Sequence, residues 1–160
     1  MENVLKPALS DLIRKGGVLY DIPGINPEEV LTNMTRVLQV PPGFDREALL
    51  AAVLEREALM PTSIGHGIAL PHPRNPIIGD NEEQFVTIGF LKWSVDWKTL
   101  DKKPVHSLML IVSASAKLHL DTLSRINFFC QQPSFRQLLK DRSSLKSIIG
   151  TIQEAEQGWK

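Results

Sequence analysis

The sequence predicts one αβ domain in which a β-sheet is covered on both faces and helices occupy both ends of the chain. Two observations carry this. Three short runs, G-I-A-L at 67–70, F-V-T-I-G-F-L at 85–91 and V-H-S-L-M-L-I-V at 105–112, are dense in aliphatic residues. That is the composition of strands buried on both sides. Before and after them lie segments with helical spacing and helix start signals. The chain of 160 residues can bury one core and is short for two, so the domain is expected to span 1–160.

Each element has its own local reason. Residues 1–17 read as a short helical lead-in around S-D-L-I-R-K, closed by Gly16-Gly17. V-L-Y-D-I at 18–22 has strand composition and runs into Pro23-Gly24. Asn26-Pro27-Glu28-Glu29 is a helix start, with a capping side chain, proline at the first position and Glu three residues after the cap. Val30, Leu31, Met34, Val37 and Leu38 follow at helical spacing, and Pro41-Pro42-Gly43 is expected to stop that helix. A second helix is predicted from about Asp45 to Leu59, with Leu49, Leu50, Val53 and Leu54 as its buried stripe. After the three strand-like runs, helices are predicted near 117–131, 134–140 and 143–156, with Ser134 and Gln137 as a second capping box. No repeat, low-complexity tract or linker interrupts the chain.

Composition narrows the function. The 18 basic and 18 acidic residues give no broad electrostatic footprint for nucleic acid or anionic lipid, although a small local anion site is compatible with them. The single Cys130 rules out an internal disulfide and suits a reducing compartment. The N-terminus has no signal-peptide pattern, and the uninterrupted aliphatic run Leu108–Val112 is too short to span a bilayer. A cytoplasmic protein with no membrane insertion is the expectation. No Walker-type loop, H-E-x-x-H, C-x-x-C or G-x-S-x-G occurs. Gly65-His66-Gly67 begins like a dinucleotide fingerprint, but Leu70 occupies the third glycine position.

The chemistry concentrates in P-T-S-I-G-H-G-I-A-L-P-H-P-R, residues 61–74. Glycines let backbone N–H groups approach a ligand closely, and successive N–H groups in such a turn make an anion-binding concavity. Pro71 stiffens the approach to His72, whose neutral imidazole is a competent nucleophile able to carry a covalent intermediate. The same pattern also fits a plain turn that happens to hold histidines. His66 reads equally as a solvated loop residue or a site residue, His106 as a strand residue at a sheet face, and His119 as a polar position near a helix start. No local spacing among His66, His72 and His119 matches a known zinc-ligand pair, so no metal site is expected.

T-S-I-G-H-G-I-A-L-P-H resembles the active-site signature of the fructose/mannitol-type enzyme IIA domains of the bacterial phosphoenolpyruvate-dependent phosphotransferase system. Two further segments agree: L-E-R-E at 54–57, with Arg56 ahead of the loop, and H-L-D-T-L-S at 119–124. The likeness extends over nearly the whole chain. It implies an α+β fold with a central mixed β-sheet flanked by helices on both faces. It also implies that His72 accepts a phosphoryl group on Nε2 from the small histidine-containing phosphocarrier protein. Arg56 would then hold the phosphoryl oxygens, its planar fork matching phosphate. His119 would orient His72 or donate a hydrogen bond to the phosphoryl group, and Gly65, His66 and Gly67 would form a phosphate-binding loop. No metal or cofactor is needed, because phosphoryl transfer is catalysed mostly by positioning and charge.

Departures from the pattern are Pro61 and Ser63, where small residues are common, and His66 at the variable position. Protonation of His66 would add positive charge near the phosphate. The resemblance leaves two readings. In the preferred one the chain is of the nitrogen-regulatory branch, where phosphorylation controls the binding of regulatory target proteins; no fused transporter, enzyme IIB or phosphocarrier domain accompanies it. In the alternative it passes phosphate to a sugar-specific enzyme IIB.

Overall fold

The computed structural model describes residues 7–158. Along the chain run α1 (Leu9–Gly16), β1 (Val18–Ile22), α2 (Pro27–Val37), α3 (Arg46–Leu59), β2 (Ser63–Gly65) and β3 (Ile68–Ala69). A 3-10 turn at Asn81–Glu83 leads into β4 (Phe85–Val95) and β5 (Val105–Val112), and α4 (Ala116–Cys130), α5 (Pro133–Lys140) and α6 (Leu145–Gln157) follow. The strand order is β1-β4-β5-β3-β2. β1 lies parallel to β4 and β3 parallel to β5, while β4–β5 and β2–β3 are antiparallel. The sheet is therefore mixed, with helices on both faces, and the fold is α+β as expected.

Alternation along the two long strands divides the core. Val86, Ile88 and Phe90 of β4 and Met109 and Ile111 of β5 point to one face, where α1, α4, α5 and α6 pack. Phe85 and Leu91, with Leu108, Leu110 and Val112, point to the other, covered by α2 and α3. Side chains at successive strand positions leave on opposite faces, so a continuous aliphatic run fills two cores at once. Two close approaches need glycine. A Cβ on Gly16 would meet the Val86 carbonyl oxygen at 2.0 Å, and one on Gly89 would meet Ile22 Cδ1 at 2.6 Å and Met34 Cε at 3.0 Å.

Several expectations shift. Asn26 caps α2 through Glu29 N–H, as read from the sequence, and Asp45 caps α3 through Ala48 N–H. However, α2 ends at Val37, before the proline pair, because Leu38 already turns into extended backbone; Val37 itself is exposed. In α3 only Leu49 and Val53 are fully buried, with Leu50 and Leu54 packed at the margin. The Ser134–Gln137 capping box does not form. Pro133 starts α5 one residue earlier, and Gln137 instead donates to Asp141 Oδ1 at 2.8 Å. β4 runs on through K-W-S-V to Val95 after a register shift beyond Phe90. G-I-A-L contributes only Ile68–Ala69 to a strand, and the three-residue β2 before it has too little apolar density to be read locally. The first six residues of the expected lead-in lie outside the described residues. Among the described residues, no helix is long and apolar enough to cross a membrane.

Candidate active site

Three separate elements bring His72, Arg56 and His119 together. The segment just past β3 is strapped on both sides: Leu70 N–H donates to the Thr62 carbonyl at 3.0 Å, and Ile111 N–H of β5 donates to the Pro71 carbonyl at 3.0 Å. His72 therefore leaves a fixed backbone. Its Nδ1 lies 2.8 Å from the Leu70 carbonyl oxygen. A carbonyl only accepts, so Nδ1 carries the proton and Nε2 keeps its lone pair. This settles the tautomer without a second side chain.

His119 stands in the first turns of α4, whose N-cap Ser115 accepts from Leu118 N–H. Its ring centroid is 4.4 Å from that of His72, the planes tilted by 40°. Arg56 is in the last turn of α3, where Nη1 donates to the Met60 carbonyl at 2.7 Å and fixes the guanidinium at the helix end. All three border one cavity of about 250 Å³ that Ser113 and Ser115 also line. A smaller recess of about 160 Å³, with Thr62 and Asn127, opens on the other side of Arg56 and His72.

Burial sets the charges. It pushes the His72 pKa below its ordinary value, helped by the nearby Arg56 and opposed by the Leu70 carbonyl and Glu57. His119 falls further, to about 4, through burial first and then the proximity of His72 and Arg56. Both rings are neutral at neutral pH, and Arg56 stands beside them as a permanent cation. Arg74 also lines the cavity but is paired with Glu55 at 2.9 Å. The arrangement can present one nucleophilic nitrogen, one fixed cation and one neutral imidazole to an incoming anion. Among the described residues, no group of three or more His, Cys, Asp or Glu side chains is arranged to hold a metal.

The turn Gly65-His66-Gly67 is not brought to this place. Neither cavity bordered by His72 includes any of the three, and they lie at the far end of β3, beside His106. The expectation that they cradle a group on His72 finds no support in these linings, and the topology shows why. Strand β3 intervenes, and its direction carries the turn away.

Sequence reasoning gave no role to Glu57. Its Oε2 accepts Thr62 N–H at 2.7 Å and Trp97 Nε1–H at 3.1 Å, and its Oε1 accepts the Thr62 hydroxyl at 2.6 Å. One carboxylate thus ties the end of α3 to the start of β2, next to Arg56. The adjacent Arg-Glu pair in L-E-R-E was the available signal.

Known proteins share this arrangement of elements. The family model for the phosphoenolpyruvate-dependent sugar phosphotransferase system, EIIA 2, matches residues 11–155. A fructose-specific EIIABC component of Bacillus subtilis is 29% identical over 91% of this chain, which spans only 23% of that much longer protein. A nitrogen regulatory protein of Pseudomonas aeruginosa is 26% identical, with 94% of this chain matching 97% of it. The crystal structure of the nitrogen regulatory protein IIA-Ntr from Neisseria meningitidis superposes with a TM-score of 0.76 at 20% identity, covering 89% of this chain and 97% of that one.

Proposed function

The chain belongs to the EIIA 2 family of the phosphoenolpyruvate-dependent sugar phosphotransferase system, and on that premise we propose that it carries a phosphoryl group on Nε2 of His72. The observation that supports this most directly is the Nδ1 bond to the Leu70 carbonyl, which leaves Nε2 as a free nucleophile beside Arg56. The donor is a phosphohistidine of the small histidine-containing phosphocarrier protein. The Nε2 lone pair attacks phosphorus in line, the donor's P–N bond breaks, and its electron pair returns to the donor imidazole. His72 keeps its Nδ1 proton throughout, so the phosphorylated ring is an imidazolium whose charge the Leu70 carbonyl stabilises.

Arg56 neutralises the phosphoryl oxygens as charge spreads over them in the loose transition state. His119, neutral and within ring contact of His72, donates a hydrogen bond to the same oxygens. The lowered pKa of His72 keeps the ring neutral, with Nε2 unprotonated, and the donor protein closes the cavity against water. Incubation with phosphoenolpyruvate, the first enzyme of the system and the phosphocarrier should place one acid-labile phosphate on the chain. His72→Ala should abolish it; phosphate retained on that variant refutes the assignment.

For the branch, the near-full-length match to a nitrogen regulatory protein supports a regulatory role, with phosphorylation at His72 controlling the binding of target proteins. The alternative is onward transfer to a sugar-specific enzyme IIB, supported by the match to a fructose-specific component. Mixing the phosphorylated chain with a purified fructose-type enzyme IIB separates them. Rapid discharge favours the sugar reading, and a stable phosphoprotein favours the regulatory one.

A further inference from the structure

A second cavity, about 450 Å³, opens at the opposite end of β5 from His72. Four separate parts of the chain converge on it: the β2–β3 turn at His66, Ser94 of β4, Lys103 in the β4–β5 loop, and α5. Helix α5 contributes Pro133, Arg136, Gln137 and Lys140, which share one helical face at i, i+3, i+4 and i+7. His106 marks the cavity on β5 and Ile111 marks the His72 cavity; five residues of strand separate them, about 17 Å. These are distinct places.

The charge here is one-sided. Lys103, Arg136 and Lys140 all line the opening, and no carboxylate does. Among the described residues, none of the three has an ion-pair partner. Arg136 is held in place, with Nη1 donating to the Cys130 and Gln131 carbonyls at 3.1 Å each. Among the described residues its Nη2 and Nε make no hydrogen bond, and Arg136 lines the cavity. Asp101 stands beside this wall, where it accepts His66 N–H at 3.0 Å and Lys103 N–H at 3.0 Å; it does not line the opening, and its charge offsets only part of that of Lys103. Like charges converge from separate elements only at a cost in repulsion, which a bound anion offsets. The rings of Pro104 and Pro133 add flat apolar surface at the rim, suited to the face of a sugar or base. The His106 ring covers Gly67 so closely that a Cβ there would lie 2.3 Å from it, so this wall needs glycine at 67.

From this geometry we infer a second binding site, for a small phosphate ester bearing a ring, such as a sugar phosphate or a nucleoside monophosphate. Lys103, Arg136 and Lys140 hold the phosphate, and the prolines pack against the ring. The inference stands apart from the chemistry at His72, and its test does not use phosphoryl transfer.

The full chain, isotopically labelled, is titrated with glucose 6-phosphate, with AMP and with inorganic sulfate at fixed ionic strength while amide resonances are followed. At least one ester should bind more tightly than sulfate, with shifts centred on Ser94, His106 and Gln137. The double variant Lys103→Gln/Lys140→Gln changes two exposed side chains and should fold normally by circular dichroism. It should bind the ester at least about tenfold more weakly, as expected for losing charge-assisted hydrogen bonds, and Arg56→Ala should bind it as the wild type does. The proposal is overturned if neither ester outbinds sulfate or if the folded double variant keeps full affinity. It also fails if the shifts centre on His72 and vanish in Arg56→Ala.

Discussion

Arg56 divides its guanidinium between the Met60 carbonyl, 2.7 Å from Nη1, and the cavity it shares with His72. Removing the cation should cost transfer about 2–4 kcal/mol of transition-state stabilisation. Arg56→Lys, which keeps the charge and loses the fork, should also be slow. Wild-type rates of phosphorylation in both variants would reduce Arg56 to a helix-end residue. The two candidate second histidines part company here. His119 touches the His72 ring, so His119→Ala should slow transfer or shorten the life of the phosphoprotein by about ten- to a hundredfold, the weight of one hydrogen bond to a charged group. Because its pKa lies near 4, that loss should be the same at every pH from 6 to 8. His66 was expected to bring a titrating charge near the phosphate, but it lines the other cavity. His66→Ala should leave the rate and its pH profile unchanged, and a crippled His66→Ala would mean the turn reaches His72 after all.

Among the elements, the junction between α3 and β2 matters most to the site. Glu57 satisfies Thr62 twice and Trp97 once, and Thr62 in turn receives Leu70 N–H, one residue before the Pro71-His72 step. Glu57→Ala leaves those donors without their partner and should lower unfolding free energy by about 2–3 kcal/mol. Denaturant titration measures that, and phosphorylation of the still-folded fraction should be slow as well, because the strap under His72 loosens. A variant that is destabilised but transfers at the normal rate would confine Glu57 to folding. The β2–β3 turn is legible as a turn because its backbone favours glycine. Gly65, His66 and Gly67 all have positive φ, at 92°, 58° and 78°, and two of the three are glycine. Its role is not legible, because the direction in which β3 leaves the turn is fixed by pairing with β5, a partner far along the chain.

At the scale of the whole molecule, three half-buried histidines tie stability to pH. Burial lowers the pKa of His72, His106 and His119. Unfolded, each imidazole takes its proton near 6.5, whereas folded His119 takes it only near 4. Between those values the unfolded chain binds more protons, so stability is full above pH 6.5 and falls as the pH drops through the window. Thermal melts from pH 7 to pH 5 should show a declining midpoint, and His119→Gln should flatten the decline. A midpoint that rises on acidification would contradict the burial of these rings. The two-sided core gives a second expectation. Met109→Ala, at 0% exposure between β5 and the helices of one face, should cost about 2–5 kcal/mol without altering the chemistry at His72.

Local sequence determined the helices with side-chain caps at Asn26 and Asp45 and the span of β5. It also determined that His72 ends a stiffened, glycine-flanked segment. These depend on neighbours within a few residues, where capping, periodicity and backbone restriction act. The mixed sheet, the His72 and Arg56 roles and the pairing of His72 with His119 came only through resemblance. Resemblance named Nε2 of His72, and tertiary structure supplied the physical reason that this nitrogen is free, because that depends on where the Leu70 carbonyl points once Thr62 and Ile111 have strapped the segment. Tertiary structure alone separated His66 from His72 and gathered Lys103, Arg136 and Lys140 around one opening. Charge and proximity between distant residues are set by chain topology, and no local pattern encodes them.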